Sequence, residues 1–326
     1  MVKVGYIKSD ILPISTGVPQ GSILGPLLFL LYINDIAYLS ESMNIDLYAD
    51  DSTLYKAGLN LQNVEADLQN NLVLIEKWCS INNMLLHPDK TKCMVIGTRQ
   101  KLKKSTPLHL TVSGKCIENV KNQKVLGVYI ENNMSWKTQT HKMSLKLNSK
   151  IALLRRISYY LTQDTKILFY NAYIMSTFDY CCTVWGKGNQ SGISKIVNIQ
   201  KRAARIILCK SYRTPSSSLF KELKWLPFQY RCKYYAALLV FKSINNQTPS
   251  YISDLLKFST NDKYNLRSST WKNLSQLTPR TNYLKDTFSY YSREVWNDIP
   301  LTIRSVKSIN SFKHLLKTYL FNLSQS

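Results

Sequence analysis

The hydrophobic periodicity changes at residue 137, and that change limits the chain to a two-part architecture. Ahead of it, short alternating runs mix with one helical stripe. Ile45 and Leu47 alternate with polar residues up to Asp50 and Asp51, and Thr53, Leu54 and Tyr55 follow, a hairpin pattern with two acids at its tip. From Asn63 to Trp78, the residues Val64, Leu68, Leu72, Ile75 and Trp78 recur at spacings of four and three, the apolar face of a helix. "TKCMVIGT" (91–98), "LHLTVSG" (108–114) and "KVLGVYIENNMSW" (124–136) read as further strands, the second ending on a Ser-Gly turn. After Lys137 the period is helical: Met143, Leu147, Ile151 and Leu154 form an apolar stripe, and Lys142, Lys146 and Lys150 a basic one. "SKIVNIQKRAARIIL" (194–208) repeats this, with Lys195, Lys201, Arg202 and Arg205 beside Ile196, Ala203 and Ile207. The expected class is α+β over 1–136, then mainly helical segments over 137–213 and 214–326. "SGIS" (191–194) and "TPSSS" (214–218) are the expected linkers.

Charge is segregated along the same axis. Residues 1–100 carry a net −3, 101–150 a net +8 and 151–326 a net +18. A polyanion, most simply nucleic acid, is the partner such a back half suits. No basic amphipathic anchor for a membrane stands out. The longest apolar run, Ile23 to Ile33, has 11 residues and is too short to span a bilayer. It reads instead as a mostly buried helix capped by Ser22 and ending near Asn34 and Asp35, behind a shaped loop, "STGVPQGS" (15–22). Seven scattered cysteines with no secretory run ahead of them suit a reduced compartment, and the four histidines show no zinc spacing.

Adjacent carboxylates repel unless a cation sits beside them. Asp also favours turns for its own sake, so the pair taken alone leaves a solvated turn and a metal site both open.

The order of motifs narrows this. "GVPQGSILGP" (17–26) followed closely by "YADD" (48–51) resembles reverse transcriptases, and in particular the polymerases of non-long-terminal-repeat (LINE-like, jockey-type) retrotransposons. "LLHPDKTKCMVIGT" (85–98) is similar to the next palm motif, and "VLGVYIENNMSW" (125–136) to the primer-gripping hairpin. "YCCTVWG" (180–186), "IQKRAARII" (199–207) and the tail "SREVWNDIP…SFKHLLKTYL" are similar to the thumb and C-terminal segment of the same elements. The resemblance implies a partial palm, an antiparallel sheet with packed helices, over 1–136. A helical thumb would follow over 137–213 and a basic C-terminal segment over 214–326.

It also implies roles. Asp50 takes the place of a direct magnesium ligand and Asp51 that of the supporting acid. Mg²⁺ prefers carboxylate oxygen, and two ions about 3.5–4 Å apart clamp the attacking and leaving oxygens of a displacement at phosphorus. Gln20 and Gly21 fall beside the incoming nucleotide and template, where glycine lets the backbone approach closely. Tyr48 belongs to the same nucleotide site by motif, although its side chain is expected to pack under the hairpin. Lys90 is the proton donor to pyrophosphate, with Lys92 as rival. Lys142, Lys146, Lys150, Lys201, Arg202 and Arg205 would hold the nucleic-acid backbone without reading sequence. Tyr159, Tyr160, Tyr234 and Tyr235 are interleaved with these cations and could stack on bases, although most of them are expected in the core. RNA template, DNA primer and deoxynucleoside triphosphates are the implied partners.

One departure matters. The family supplies a further metal-binding aspartate from a strand well ahead of the glycine-rich loop; here the only acid among the first 16 residues is Asp10, in unrelated surroundings. The expectation is a portion of a polymerase with little activity by itself, the alternative a catalytically dead nucleic-acid-binding derivative. Copying at a chromosomal target would require nuclear access for a complete element.

Overall fold

The computed structural model describes residues 3–10, 17–18, 21–39, 43–258 and 273–325. Contacts divide the chain into Met1–Val95 with Arg99–Val120, and Ile96–Thr98 with Lys121–Ser326.

The first unit is organised on one long helix. α1 (Gly25–Ile33) starts where expected, with Ser22 Oγ accepting from the Gly25 amide at 3.0 Å. It is followed by the hairpin β1 (Asn44–Tyr48) and β2 (Asp51–Tyr55), and by α2 (Leu61–Ile81). Asn60 caps α2 by accepting from the Gln62 amide at 2.8 Å. The predicted face of α2 is the buried one and serves two clusters. Ile75, Trp78 and Cys79 gather Ile33 and Ile36, with Ile45, Leu47 and Leu54 of the hairpin against them. Leu72 joins Cys93, Leu108, Leu110, Val112 and Ile117.

Three expectations need correction here. First, α1 is not buried: Leu24, Leu27, Leu28, Leu30 and Leu31 are between 46% and 66% exposed. A helix that is apolar on every side has no single inward stripe. Phe29 and Ile33 reach the cluster on α2, and the Tyr32 ring lies 6.3 Å from that of Trp78. Second, the strand over 91–98 shrinks to Lys92–Cys93, because its parallel partner Glu118–Asn119 offers only two residues. Third, no palm sheet assembles: among the described residues the strands form five separate two-stranded pairs, four of them antiparallel. The Ser-Gly turn does form, between Thr111–Val112 and Lys115–Cys116, with both Ser113 and Gly114 at positive φ.

The second unit opens with a hairpin, β3 (Asn122–Val125) and β4 (Val128–Glu131), turning at Leu126 and Gly127, both at positive φ. That is the two-residue geometry that matches strand twist. Tyr180 Oη donates to the Leu126 carbonyl at 2.7 Å, and its ring would lie 3.3 Å from any Cβ at position 127.

α3 (Lys137–Ile157) buries Met143, Leu147, Ile151 and Leu154 as its spacing predicts. α4 (Gln163–Phe169) runs through a π turn over Tyr170–Met175 into α5 (Ser176–Asp179). α6 (Cys182–Trp185), α7 (Gln190–Ile207), α8 (Ser216–Leu223), α9 (Phe228–Ile244), α10 (Phe288–Asp298) and α11 (Ile309–Leu323) follow, with single helical turns at Ser250–Ser253, Asn282–Lys285 and Leu301–Arg304. One core lies between α3, α5, α6 and α7; α9 carries a second with α10 and α11, where Phe241 stacks on Phe312 at 4.2 Å.

α3 and α7 run side by side in the same direction, since Asn189 Nδ2 donates to Thr140 Oγ1 at 2.8 Å and Arg202 Nη1 to Asn148 Oδ1 at 2.9 Å. Neither expected linker is one. "SGIS" forms the first turns of α7, and Ser216 opens α8. Small residues serve close helix approach here: a Cβ on Gly192 would lie 2.3 Å from Thr140 Oγ1 and 2.5 Å from Thr140 Cβ. Gly192→Ala is therefore expected to destabilise the chain by about 1–2 kcal/mol through overpacking, read as a lower urea midpoint with unchanged slope.

Two buried polar clasps fix α9. Arg231 forms a bidentate pair with Asp179 through Nε at 2.7 Å and through Nη2, and Tyr235 Oη donates to Asp179 Oδ2 at 3.0 Å. Gln200, 1% exposed, gives Nε2 to the Tyr170 hydroxyl at 3.2 Å and the Leu226 carbonyl at 2.9 Å. Its Oε1 accepts from the Phe228 amide at 2.9 Å.

Tyr159 and Tyr160 are not core residues. They are 90% and 82% exposed on a 3₁₀ turn beyond α3, whereas Tyr234 and Tyr235 are half-buried.

Candidate functional site

The acids occupy the tip of the β1–β2 hairpin. Tyr48 pairs with Asp51, leaving Ala49 and Asp50 as a two-residue turn. Ala49 takes φ +52°, in the region that disfavours residues with a Cβ. Alternation along the strands puts Ile45 and Leu47 against the α2 cluster, while Asp46, Tyr48 and Asp51 face the other way. Asp50 and Asp51 are exposed. Tyr48 is 67% exposed, so it does not pack under the hairpin as expected. Asp46 shares its face and was not singled out by motif; pairing register alone places it there.

Hard oxygen donors at an exposed tip suit Mg²⁺, but Asp50 and Asp51 supply only part of a coordination shell. Among the described residues no three His, Cys, Asp or Glu side chains converge closely enough to hold an ion.

Gly21 takes φ +88° with no atom near its missing Cβ, so backbone conformation rather than internal crowding requires glycine there. Gln20 lies outside the described residues. Lys90 is exposed on a turn in which its amide donates to the His87 carbonyl at 3.2 Å. Its rival Lys92 is committed to Glu118 at 2.6 Å.

The six cations expected on the nucleic-acid backbone are of two kinds. Lys142 and Lys146 stand exposed on one face of α3, and Lys201 is half-exposed on α7. The others have partners within the chain. Lys150 Nζ donates to the Tyr173 carbonyl at 2.6 Å and to Thr177 Oγ1, and lies 5.4 Å from the Tyr173 ring. Burial, with Lys146 nearby, pulls its pKa below that of a free amine. Arg202 holds Asn148, and Arg205 donates to the Thr214 carbonyl at 3.2 Å beneath the Tyr212 ring.

Residues 3–130 match the family model for reverse transcriptase (RNA-dependent DNA polymerase). Over these residues the chain is similar to reverse transcriptases.

The relatives are polymerases of non-long-terminal-repeat retrotransposons. The probable RNA-directed DNA polymerase from transposon X-element of Drosophila melanogaster is 25% identical over 220 residues, covering 65% of this chain and 24% of that protein. The RNA-directed DNA polymerase from mobile element jockey of the same species is 23% identical over 236 residues, 68% of this chain and 25% of its own length. The Pol polyprotein from type-1 retrotransposable element R1 2 of Nasonia vitripennis is 24% identical over 227 residues, 66% and 55%. The chain spans about a quarter of the first two relatives. These alignments are longer than the reverse transcriptase match, so the likeness extends beyond it.

Proposed function

We propose that this chain is a portion of an RNA-directed DNA polymerase of a non-long-terminal-repeat retrotransposon. It would contribute part of the palm over 1–136, the thumb over 137–213 and a basic C-terminal segment over 214–326. The observation that carries the catalytic reading is the pair of exposed carboxylates at the tip of a two-residue hairpin turn, inside the segment that matches reverse transcriptases. Asp50 and Asp51 would hold Mg²⁺, which when bound neutralises charge on the phosphate oxygens and makes the primer 3′-oxygen a better nucleophile. Gly21, with Gln20 and Tyr48, would shape the pocket for base and template. Lys90, which has no ion pair among the described residues where Lys92 is paired with Glu118, would protonate the departing pyrophosphate. Lys142, Lys146 and Lys201 would lie along phosphates, while Lys150, Arg202 and Arg205 would be held by their own hydrogen-bond partners within the unit.

Because two carboxylates provide too few anionic ligands for two ions, the 326-residue chain is expected to bind primer–template with little synthesis. The second reading, a nucleic-acid-binding derivative without catalysis, draws on the same charge in the helical half.

Primer extension on an RNA template with Mg²⁺, comparing the chain with Asp50→Asn, separates the readings. Magnesium-dependent incorporation abolished by Asp50→Asn would overturn the expected inactivity and establish the site. Incorporation indifferent to that change would sink the assignment of Asp50. In a parallel binding series, replacing Lys142 and Lys146 together by glutamine should reduce the slope of log K against log salt by about 1.8 on duplex, about 0.9 per phosphate contact.

A further inference from the structure

The two parallel helices α3 and α7 finish at the same end of the second unit, and that end has an uncommon surface. The turn Ser158–Tyr160 follows α3, and residues 208–214 follow α7. A contact ties the neighbouring segments together: Lys166 Nζ of α4 lies 3.7 Å from Cys209 Sγ. Three tyrosines stand almost bare there, Tyr159 at 90%, Tyr160 at 82% and Tyr212 at 86% exposure. Tyr159 and Tyr160 meet edge to face at 5.3 Å, which holds the two rings at right angles rather than letting them collapse together. Arg205 lies 5.2 Å from the Tyr212 ring and fixes it from one side.

The surrounding charge has one sign. Residues 155–166 and 205–214 contain six lysines and arginines and one acid, Asp164. Arg155, Arg156, Lys210 and Arg213 are exposed, with no ion pair among the described residues. Cations at the C-terminal ends of helices are favourable for the helix dipole, which accounts for some of them. The dipole gives no reason for leaving three aromatic rings in water, where each forgoes the burial that tyrosine ordinarily finds. Flat rings that present a free face, spaced along a cationic rim, are what unpaired bases require: stacking for the base and charge for the phosphate. Inside a duplex the base faces are covered by their neighbours, so a surface of this kind suits an unpaired strand.

We propose that Tyr159, Tyr160 and Tyr212, set among Arg155, Arg156 and Lys210, form a stacking platform for an unpaired stretch of nucleic acid. This rests on the reading of the chain as a nucleic-acid polymerase portion and adds what its helical half recognises.

The test uses the whole 326-residue chain with a fluorescein-labelled 12-residue oligouridine, an abasic phosphodiester strand of equal length, and a blunt RNA–DNA heteroduplex, followed by anisotropy. Replacing Tyr159 and Tyr160 together by alanine should weaken oligouridine binding by about tenfold or more, while Tyr→Phe at both positions retains it, since stacking needs the ring and not the hydroxyl. The alanine variant should leave abasic-strand and heteroduplex binding unchanged. Replacing Arg155 and Arg156 by glutamine should lower the salt slope for oligouridine by about 1.4, about 0.7 per contact. Unchanged oligouridine affinity in the alanine variant, or an equal loss on the abasic strand, overturns the platform while heteroduplex binding keeps the polymerase reading intact. Failure of the unaltered chain to bind any of the three overturns both.

Discussion

Asp179→Ala is expected to lower the stability of the second unit by about 3–5 kcal/mol. The Arg231 guanidinium is 15% exposed and its carboxylate partner 12%, so removing the acid strands a cation inside the fold. Burial alone would lower the arginine pKa, yet the hydrogen bonds and charge of Asp179 hold it above its ordinary value. Without Asp179 that support is gone and only burial acts on the guanidinium, but arginine is basic enough to stay charged at neutral pH, so the variant holds an unpaired buried cation. Tyr235 loses its acceptor as well. Burial first, and then the charge of Asp179, push its hydroxyl up to about 12, so it stays protonated and is left as an unsatisfied donor. The double replacement Asp179→Leu with Arg231→Met should recover most of the loss, because an apolar pair leaves nothing unpaired. Urea unfolding followed by circular dichroism reads both; a double variant no better than Asp179→Ala would show that the helices need the pair itself.

Glu131→Gln is expected to cost about 2–3 kcal/mol near neutral pH, and progressively less in acid. Glu131 closes β4 and caps α3. It accepts from the Lys137 amide at 2.7 Å, from the Thr138 amide at 3.2 Å and hydroxyl at 2.7 Å, and from the Ser135 hydroxyl. Burial alone would raise its pKa; these hydrogen bonds outweigh burial and hold it below the ordinary 4.5. The unfolded chain thus takes up the proton first, and stability rises with pH across that window. The contribution is complete above about pH 4.5 and is lost as pH falls through the folded-state value. Midpoints measured for both proteins between about pH 6 and pH 3 should converge at the acidic end. A gap that is constant with pH would mean the cap works through shape and not charge.

Local periodicity made much of this legible. The hairpin around Asp50, the face of α2 and the buried stripe of α3 were all readable because each is set by spacing within one element. What was not legible depends on partners distant in sequence. Asp179 and Arg231 are 52 residues apart, and nothing near either residue announces the other. Gly192 sits in a stretch that reads as a linker, and only the approach of Thr140 gives that glycine its purpose. The apolar run of α1 was expected inside because composition says that a helix is greasy and does not say what lies beside it. Lys150 looked like its neighbours Lys142 and Lys146, and a carbonyl from the π turn claimed it. Among the candidate acids, motif order identified Asp50 and Asp51, whereas Asp46 emerged only from strand register.

The amide of Gln200 fastens the start of α9 with no net charge. It offers a donor and an acceptor at once, so neither a carboxylate, an ammonium nor an aliphatic chain of equal length replaces it. Neither proton uptake nor ionic screening acts on this fastening, since an amide neither titrates nor carries a charge. The alignment of α9 on α7 is therefore insured against changes of ionic medium, the same changes that govern how strongly a cationic protein holds its polyanion.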